Sequence, residues 1–122
     1  MIFKLHHIGI EVENLSVAVK YYVEELGFHE KLSLEFFREK IVFLTNGDIF
    51  LELLETSSTE EGQPFHLALE TKNMDAAIEF YKGVGVSLCE GPHLLDNGWI
   101  TGFFADKNGW YFEVIETSGR HS

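Results

Sequence analysis

Apolar and polar positions change period along the chain, and the changes predict its elements. From Ile2 to Val12, Ile2, Ile8, Ile10 and Val12 fall on one side of a two-residue alternation. Phe3, Leu5, His7, Gly9 and Glu11 fall on the other side, which predicts a strand with the isoleucine face toward a helix. The period then lengthens. Leu15, Val19, Tyr22, Val23 and Leu26 form the stripe of an amphipathic helix, capped by Asn14 and followed by Gly27. Strands follow at "FHEKLSLEFF" and across "KIVFLTNGDIFLELLE", where Asn46-Gly47 divides a hairpin.

This pattern is written twice. "HIGIEVENLSVAVKYY", His7 to Tyr22, aligns with "HLALETKNMDAAIEFY", His66 to Tyr81. "FLELLETS", Phe50 to Ser57, aligns with "YFEVIETS", Tyr111 to Ser118. The second copy reads as a strand at "FHLALET", a helix from about Asn73 to Lys82, and strands near "VSLCE", "WITGFFA" and "WYFEVIE", with "DKNG" turning the last hairpin. The modules run from about residue 1 to 58 and from about 63 to 118, joined by the polar, turn-rich "STEEGQP". Each helix is too short to stand alone and must cover one face of its own sheet. The other faces, turned toward each other, enclose a cleft. The expected fold is α+β: two βαβββ modules forming a cleft-bearing, incompletely closed mixed β-barrel with helices outside.

Strand phase selects the candidate chemistry. His7 and His66 are equivalent, and each is followed two positions later by a small residue, Gly9 or Ala68, which leaves room beside the ring. In the second module Phe65, Leu67 and Leu69 make the apolar face, opposite His66, Ala68 and Glu70. Glu52 and Glu113 each interrupt an apolar run, where an uncompensated carboxylate is costly to bury. A cation offsets that cost. Two imidazoles and two carboxylates suit Zn²⁺, Ni²⁺, Co²⁺, Mn²⁺ or Fe²⁺ better than Ca²⁺, which prefers oxygen donors alone. His7, Glu52, His66 and Glu113 are therefore the candidate metal ligands. His6 has the opposite phase and reads as structural, His29 and His121 as surface residues, and Glu55 and Glu116, near strand ends, as solvated. His93, in "EGPHLLDNG", is placed on a loop that can cover a pocket.

Charge and cysteine usage narrow the partners. The formal net charge of −11 disfavours nucleic acid and anionic membrane surfaces as partners. Cys89, the single cysteine, allows no internal disulfide, and its apolar surroundings in "VSLC" read as a buried structural thiol. The opening "MIFKLHHIGI" has no signal-peptide pattern, and no apolar run reaches membrane-spanning length; a cytoplasmic location is expected.

The segments "HHIGIEVENLSVAVKYYVEELGF", "FLELLE", "FHLALE" and "TGFFADKNGWYFEVIE" resemble the vicinal oxygen chelate superfamily, over nearly the whole of residues 1–122. That group includes glyoxalase I, bleomycin-resistance proteins, fosfomycin-resistance enzymes, methylmalonyl-CoA epimerase and extradiol dioxygenases. The resemblance implies a single domain of that fold, with a homodimer common. The ligand set is most similar to glyoxalase I, whose His, Glu, His, Glu positions match His7, Glu52, His66 and Glu113. It implies a divalent metal, a small-molecule substrate with neighbouring oxygens, such as a thiol adduct of a 2-oxoaldehyde, and proton transfer through an enediolate. Glu113 is the implied catalytic residue, and Glu52 the second carboxylate able to serve. Glu11 stands where glutathione-using members place an arginine, which argues against glutathione. The alternatives are a metal-free bleomycin-resistance-like binding protein, with Phe3, Trp99, Phe103 and Tyr111 around a cationic aromatic ligand, and an epimerase or an extradiol dioxygenase.

Overall fold

The structure, a computed structural model, describes residues 3–56 and 65–117. Ile2, the "STEEGQP" connection and His121 lie outside the described residues. The elements follow as β1 (Lys4–Val12), α1 (Leu15–Glu24), β2 (His29–Phe36), β3 (Glu39–Thr45) and β4 (Phe50–Glu55). The same order then repeats as β5 (Phe65–Thr71), α2 (Met74–Gly83), β6 (Ser87–Leu94), β7 (Ile100–Ala105) and β8 (Tyr111–Glu116). This is the α+β, twice-written βαβββ order that the periodicities predict.

The chain divides into two compact units, His7–Phe65 and Met1–His6 with His66–Ser122. The first few residues thus group with the second repeat, not with the first as expected. The reason is local packing. Phe3 precedes β1 and stacks on Tyr81 with ring centroids 5.0 Å apart, and it also meets Phe80. His6 meets the Trp99 ring edge-on at 5.0 Å. Phe3 therefore belongs to the core under α2, and strand alternation does not govern it.

In the His7–Phe65 unit the strands lie in the order β2-β3-β4-β1. β1 runs parallel to β4, and the other neighbours are antiparallel. Asn46 sets the β3–β4 turn: its Oδ1 accepts from the backbone N–H of Asp48 and of Ile49, and Gly47 takes a φ of +100° that side chains disfavour. Leu15, Val42, Leu44 and Leu53 form the buried core, flanked by Ile10, Val12, Ala18, Val19, Tyr22 and Phe28. Ile10 and Val12 thus face α1, as the alternation predicts. Val23 and Leu26 were expected in the stripe but are exposed; α1 ends at Glu24, so Leu26 lies beyond it.

The second unit repeats the plan with the order β5-β8-β7-β6 and a parallel β5–β8 pair. Met74, Ala77, Tyr81, Phe104 and Val114 form its core. Burial disfavours the phenolate and pushes the pKa of the Tyr81 hydroxyl above its usual 10.0.

Both helices begin alike. Asn14 Oδ1 accepts from Val17 N–H and Asn73 Oδ1 from Ala76 N–H, each at 3.0 Å. A second tie comes from the closing strands. Glu55 Oε1 accepts from Leu15 N–H at 3.4 Å, and Glu116 Oε1 from Met74 N–H at 2.7 Å. Glu116 is only 4% exposed, so its expected solvated role is corrected: it anchors a helix N-terminus, where N–H groups lack intrahelical partners and the dipole favours an anion. Glu55 is exposed as expected, yet it makes the same bond more weakly. The repeated Glu-Thr-Ser thus carries a helix tether in its first residue.

Candidate functional site

Parallel pairing between the opening and closing strands builds each His–Glu pair. Gly9 on β1 pairs with Glu52 on β4, and Ala68 on β5 pairs with Glu113 on β8. Each histidine lies two residues before that small residue, on the same face. With no bulky side chain at Gly9 or Ala68, the ring reaches the carboxylate diagonally across the pair.

The geometry repeats accordingly. His7 Nε2 lies 3.5 Å from Glu52 Oε1, and His66 Nε2 lies 3.1 Å from Glu113 Oε1. A phenylalanine lines each pair from the neighbouring antiparallel strand. Phe43 pairs with Glu52 and meets the His7 ring edge-on at 5.2 Å. Phe103 pairs with Glu113 and meets the His66 ring edge-on at 6.4 Å. His7, Glu52 and Glu113 are buried, and His66 is half-buried.

Each pair, taken within its own unit, offers one imidazole nitrogen and one carboxylate oxygen as donors for a metal ion. The donor set itself is the test of fit. Two neutral imidazoles bring no charge, and two ionised carboxylates bring two negative charges, which a divalent cation cancels. Removal of a buried carboxylate from water needs such compensation. Nitrogen and oxygen donors together suit first-row transition ions, and imidazole binds only when neutral.

Two features went unnoticed in the sequence. Phe43 was passed over because an aromatic residue in an apolar strand reads as core. Thr101 on β7 was passed over because a β-branched residue is ordinary strand filling. It is 1% exposed, and its Oγ1 donates to Glu113 Oε2.

Other candidates are corrected or set aside. His93 was expected on a loop, but β6 continues through it, and its ring Nε2 lies 3.0 Å from Glu90 Oε2. Cys89 was expected to be buried, yet it is exposed. Leu88 pairs with Phe104 and Glu90 with Phe103, so Cys89 is the extra residue of a bulge, turned away from the core. Phe65 and Leu67 are also exposed. Among the described residues, no helix is long and apolar enough to cross a membrane.

A model of the family described as the Glyoxalase/Bleomycin resistance protein/Dioxygenase superfamily matches residues 4–114. No curated protein matches the chain. Among solved structures, a hypothetical protein from Bacillus halodurans C-125 is 26% identical, with a TM-score of 0.80 over 100% of this chain and 99% of that one. Methylmalonyl-CoA epimerase from Mycobacterium tuberculosis is 19% identical, with a TM-score of 0.81 over 96% of this chain and 89% of its own. A variant Streptomyces coelicolor methylmalonyl-CoA epimerase in complex with 2-nitronate-propionyl-CoA is 21% identical, with a TM-score of 0.81 over 100% of this chain and 99% of its own. These likenesses show the fold, and the family match extends across both repeats: the chain belongs to the glyoxalase/bleomycin resistance protein/dioxygenase superfamily.

Proposed function

We propose that His7, Glu52, His66 and Glu113 together hold one divalent transition-metal ion, and that the protein is an epimerase-like isomerase. Its substrate class is an acyl thioester whose acidic carbon lies between the thioester carbonyl and a second carbonyl or carboxylate group. The observation that carries this reading is the His–Glu pair built twice with one geometry, each carboxylate set opposite a small residue and beside a phenylalanine. The likeness to methylmalonyl-CoA epimerases, at full length and without large insertions, favours epimerisation over the lyase reaction that the ligand set first suggested.

A bound metal would supply Lewis-acid polarisation of the substrate's oxygens, which would acidify the C–H bond alpha to both carbonyl groups. The chain supplies the rest. His7 and His66 hold their rings by the edges of Phe43 and Phe103 and present Nε2 toward the carboxylates. In this reading Glu113, or Glu52 as the second carboxylate, takes the proton. The C–H electron pair passes into the adjacent carbonyl, and the proton passes to a carboxylate oxygen. Return of a proton to the opposite face inverts the carbon, and no oxidant or co-reactant is needed.

The test combines metal loading with isotope exchange. Protein loaded with Co²⁺, Ni²⁺, Mn²⁺, Fe²⁺ or Zn²⁺ is incubated with methylmalonyl-CoA in D₂O, and deuterium at the acidic carbon is read by mass spectrometry. Metal-dependent incorporation is expected, with loss in Glu113→Ala. No incorporation with any of these metals refutes the epimerase reading. A second reading, a glyoxalase-I-like lyase, keeps the same metal and carboxylates and moves the proton between neighbouring carbons. Its mark is lactoylthioester formation from methylglyoxal, and Glu11 predicts that thiols other than glutathione serve best.

A further inference from the structure

The sequence writes Glu52 and Glu113 as equivalents, but their surroundings differ. On β7, Thr101 and Phe103 share a face, and Phe103 pairs directly with Glu113. Thr101 is therefore Glu113's diagonal neighbour, close enough for its hydroxyl to donate to Oε2. In the first repeat, Ile41 pairs with Leu54 as Thr101 pairs with Ile115, so Ile41 occupies the matching place. Isoleucine and threonine are both β-branched, but only threonine carries a donor. Ile41 and Thr101 are both buried, so the exchange lies within packed interior.

The backbone under Thr101 is also held. Gly91 on β6 has a φ of +98°, and a Cβ there would lie 2.9 Å from the Thr101 carbonyl oxygen. A side chain at position 91 would push β7 away, so glycine permits the close approach that fixes Thr101.

We propose that Thr101 is a positioning residue for Glu113. An ionised carboxylate only accepts hydrogen bonds, so the hydroxyl occupies Oε2 and leaves Oε1 facing His66 Nε2 at 3.1 Å. Glu113 is thereby restricted to one donor oxygen in a single rotamer. The first repeat has no hydroxyl at the matching position, so the two carboxylates are distinct in their support. This inference rests on the metal-centre reading, and it acts through Glu113 without touching the substrate.

The test titrates Co²⁺ into the wild-type chain and into Thr101→Val, Thr101→Ala and Thr101→Ser, reading affinity by calorimetry and coordination by the visible Co²⁺ spectrum. The loss of a partner that orients a ligand typically weakens metal affinity by about 10- to 100-fold. Thr101→Val, which keeps the shape, is expected to weaken Co²⁺ binding by at least about tenfold and to change the spectrum as Glu113 gains freedom. Thr101→Ser is expected to stay within about threefold of wild type with an unchanged spectrum. If Thr101→Val cannot be purified folded, Thr101→Ala against Thr101→Ser makes the same comparison. Wild-type affinity and spectrum in the Val or Ala variant overturn the proposal, as does a Ser variant as impaired as Val. A wild-type chain that binds no Co²⁺ overturns the metal-centre reading itself, and this inference with it.

Discussion

Glu116→Ala should be among the most damaging single changes away from the proposed metal ligands. Glu116 Oε1 accepts from Met74 N–H at 2.7 Å, at the first turn of α2, and both residues are almost fully buried. Alanine leaves that N–H in the interior without its acceptor, which costs about 1–3 kcal/mol. It also removes a negative charge from a helix N-terminus, which costs about 0.3–1 kcal/mol more. The sum is about 1.3–4 kcal/mol, a large part of the stability of a small protein. Glu55→Ala is the internal control. Its bond to Leu15 N–H is 3.4 Å long and its side chain is exposed, so water can replace the acceptor, and the cost should stay below about 1 kcal/mol. Glu116→Gln keeps an acceptor oxygen without the charge and should fall between them. Urea unfolding followed by tryptophan fluorescence measures this directly, because Trp99 and Trp110 both lie in the unit that contains α2. Equal costs for Glu116→Ala and Glu55→Ala would refute the reasoning, because burial and bond length would then have no bearing on the tether.

Three further predictions follow from the site and its supports. Glu113→Ala should lower the metal-dependent exchange rate by at least about a hundredfold, the usual worth of a positioned acid or base; a variant within about fivefold of wild type would remove Glu113 from proton transfer. Ala68→Leu should place a side chain where His66 reaches Glu113, and weaken metal binding more than it weakens folding; an unchanged metal affinity by titration would contradict the role given to the small residue. Tyr81 is held above its usual 10.0 by burial, so the unfolded chain loses this proton first as pH rises. Its share of stability is therefore complete below about pH 10 and is lost as pH climbs from there toward the folded value. Urea midpoints between roughly pH 8 and 11 should fall more steeply for wild type than for Tyr81→Phe, and parallel slopes would refute this.

The fold was legible because its signals are local. Asn14 and Asn73 announce helix starts, Asn46-Gly47 a hairpin, and period-2 and period-3.6 stretches alternate in the same order twice. The two His–Glu pairs were legible for a related reason: strand phase is fixed by residue count, and the small residues at Gly9 and Ala68 mark where a side chain was kept out. What escaped depends on tertiary neighbours. Glu116 reads as solvated until α2 is seen to start above it, at a residue 42 positions away in the chain. Thr101 looks like its counterpart Ile41 until the register places Glu113 diagonally opposite. Cys89 departs from the expected burial because a bulge shifts the alternation by one residue, and Phe3 departs from the strand phase because β1 begins only at Lys4.

The central claim is that two histidines and two glutamates, one pair from each repeat, serve a single metal ion. Metal content and titration of the purified chain against His7→Ala and His66→Ala test it most directly. The account predicts one divalent ion per chain in the wild type and loss of that same ion when either histidine is removed. Two independent ions, one surviving in each variant, or a wild-type chain that retains no ion at neutral pH, would contradict it.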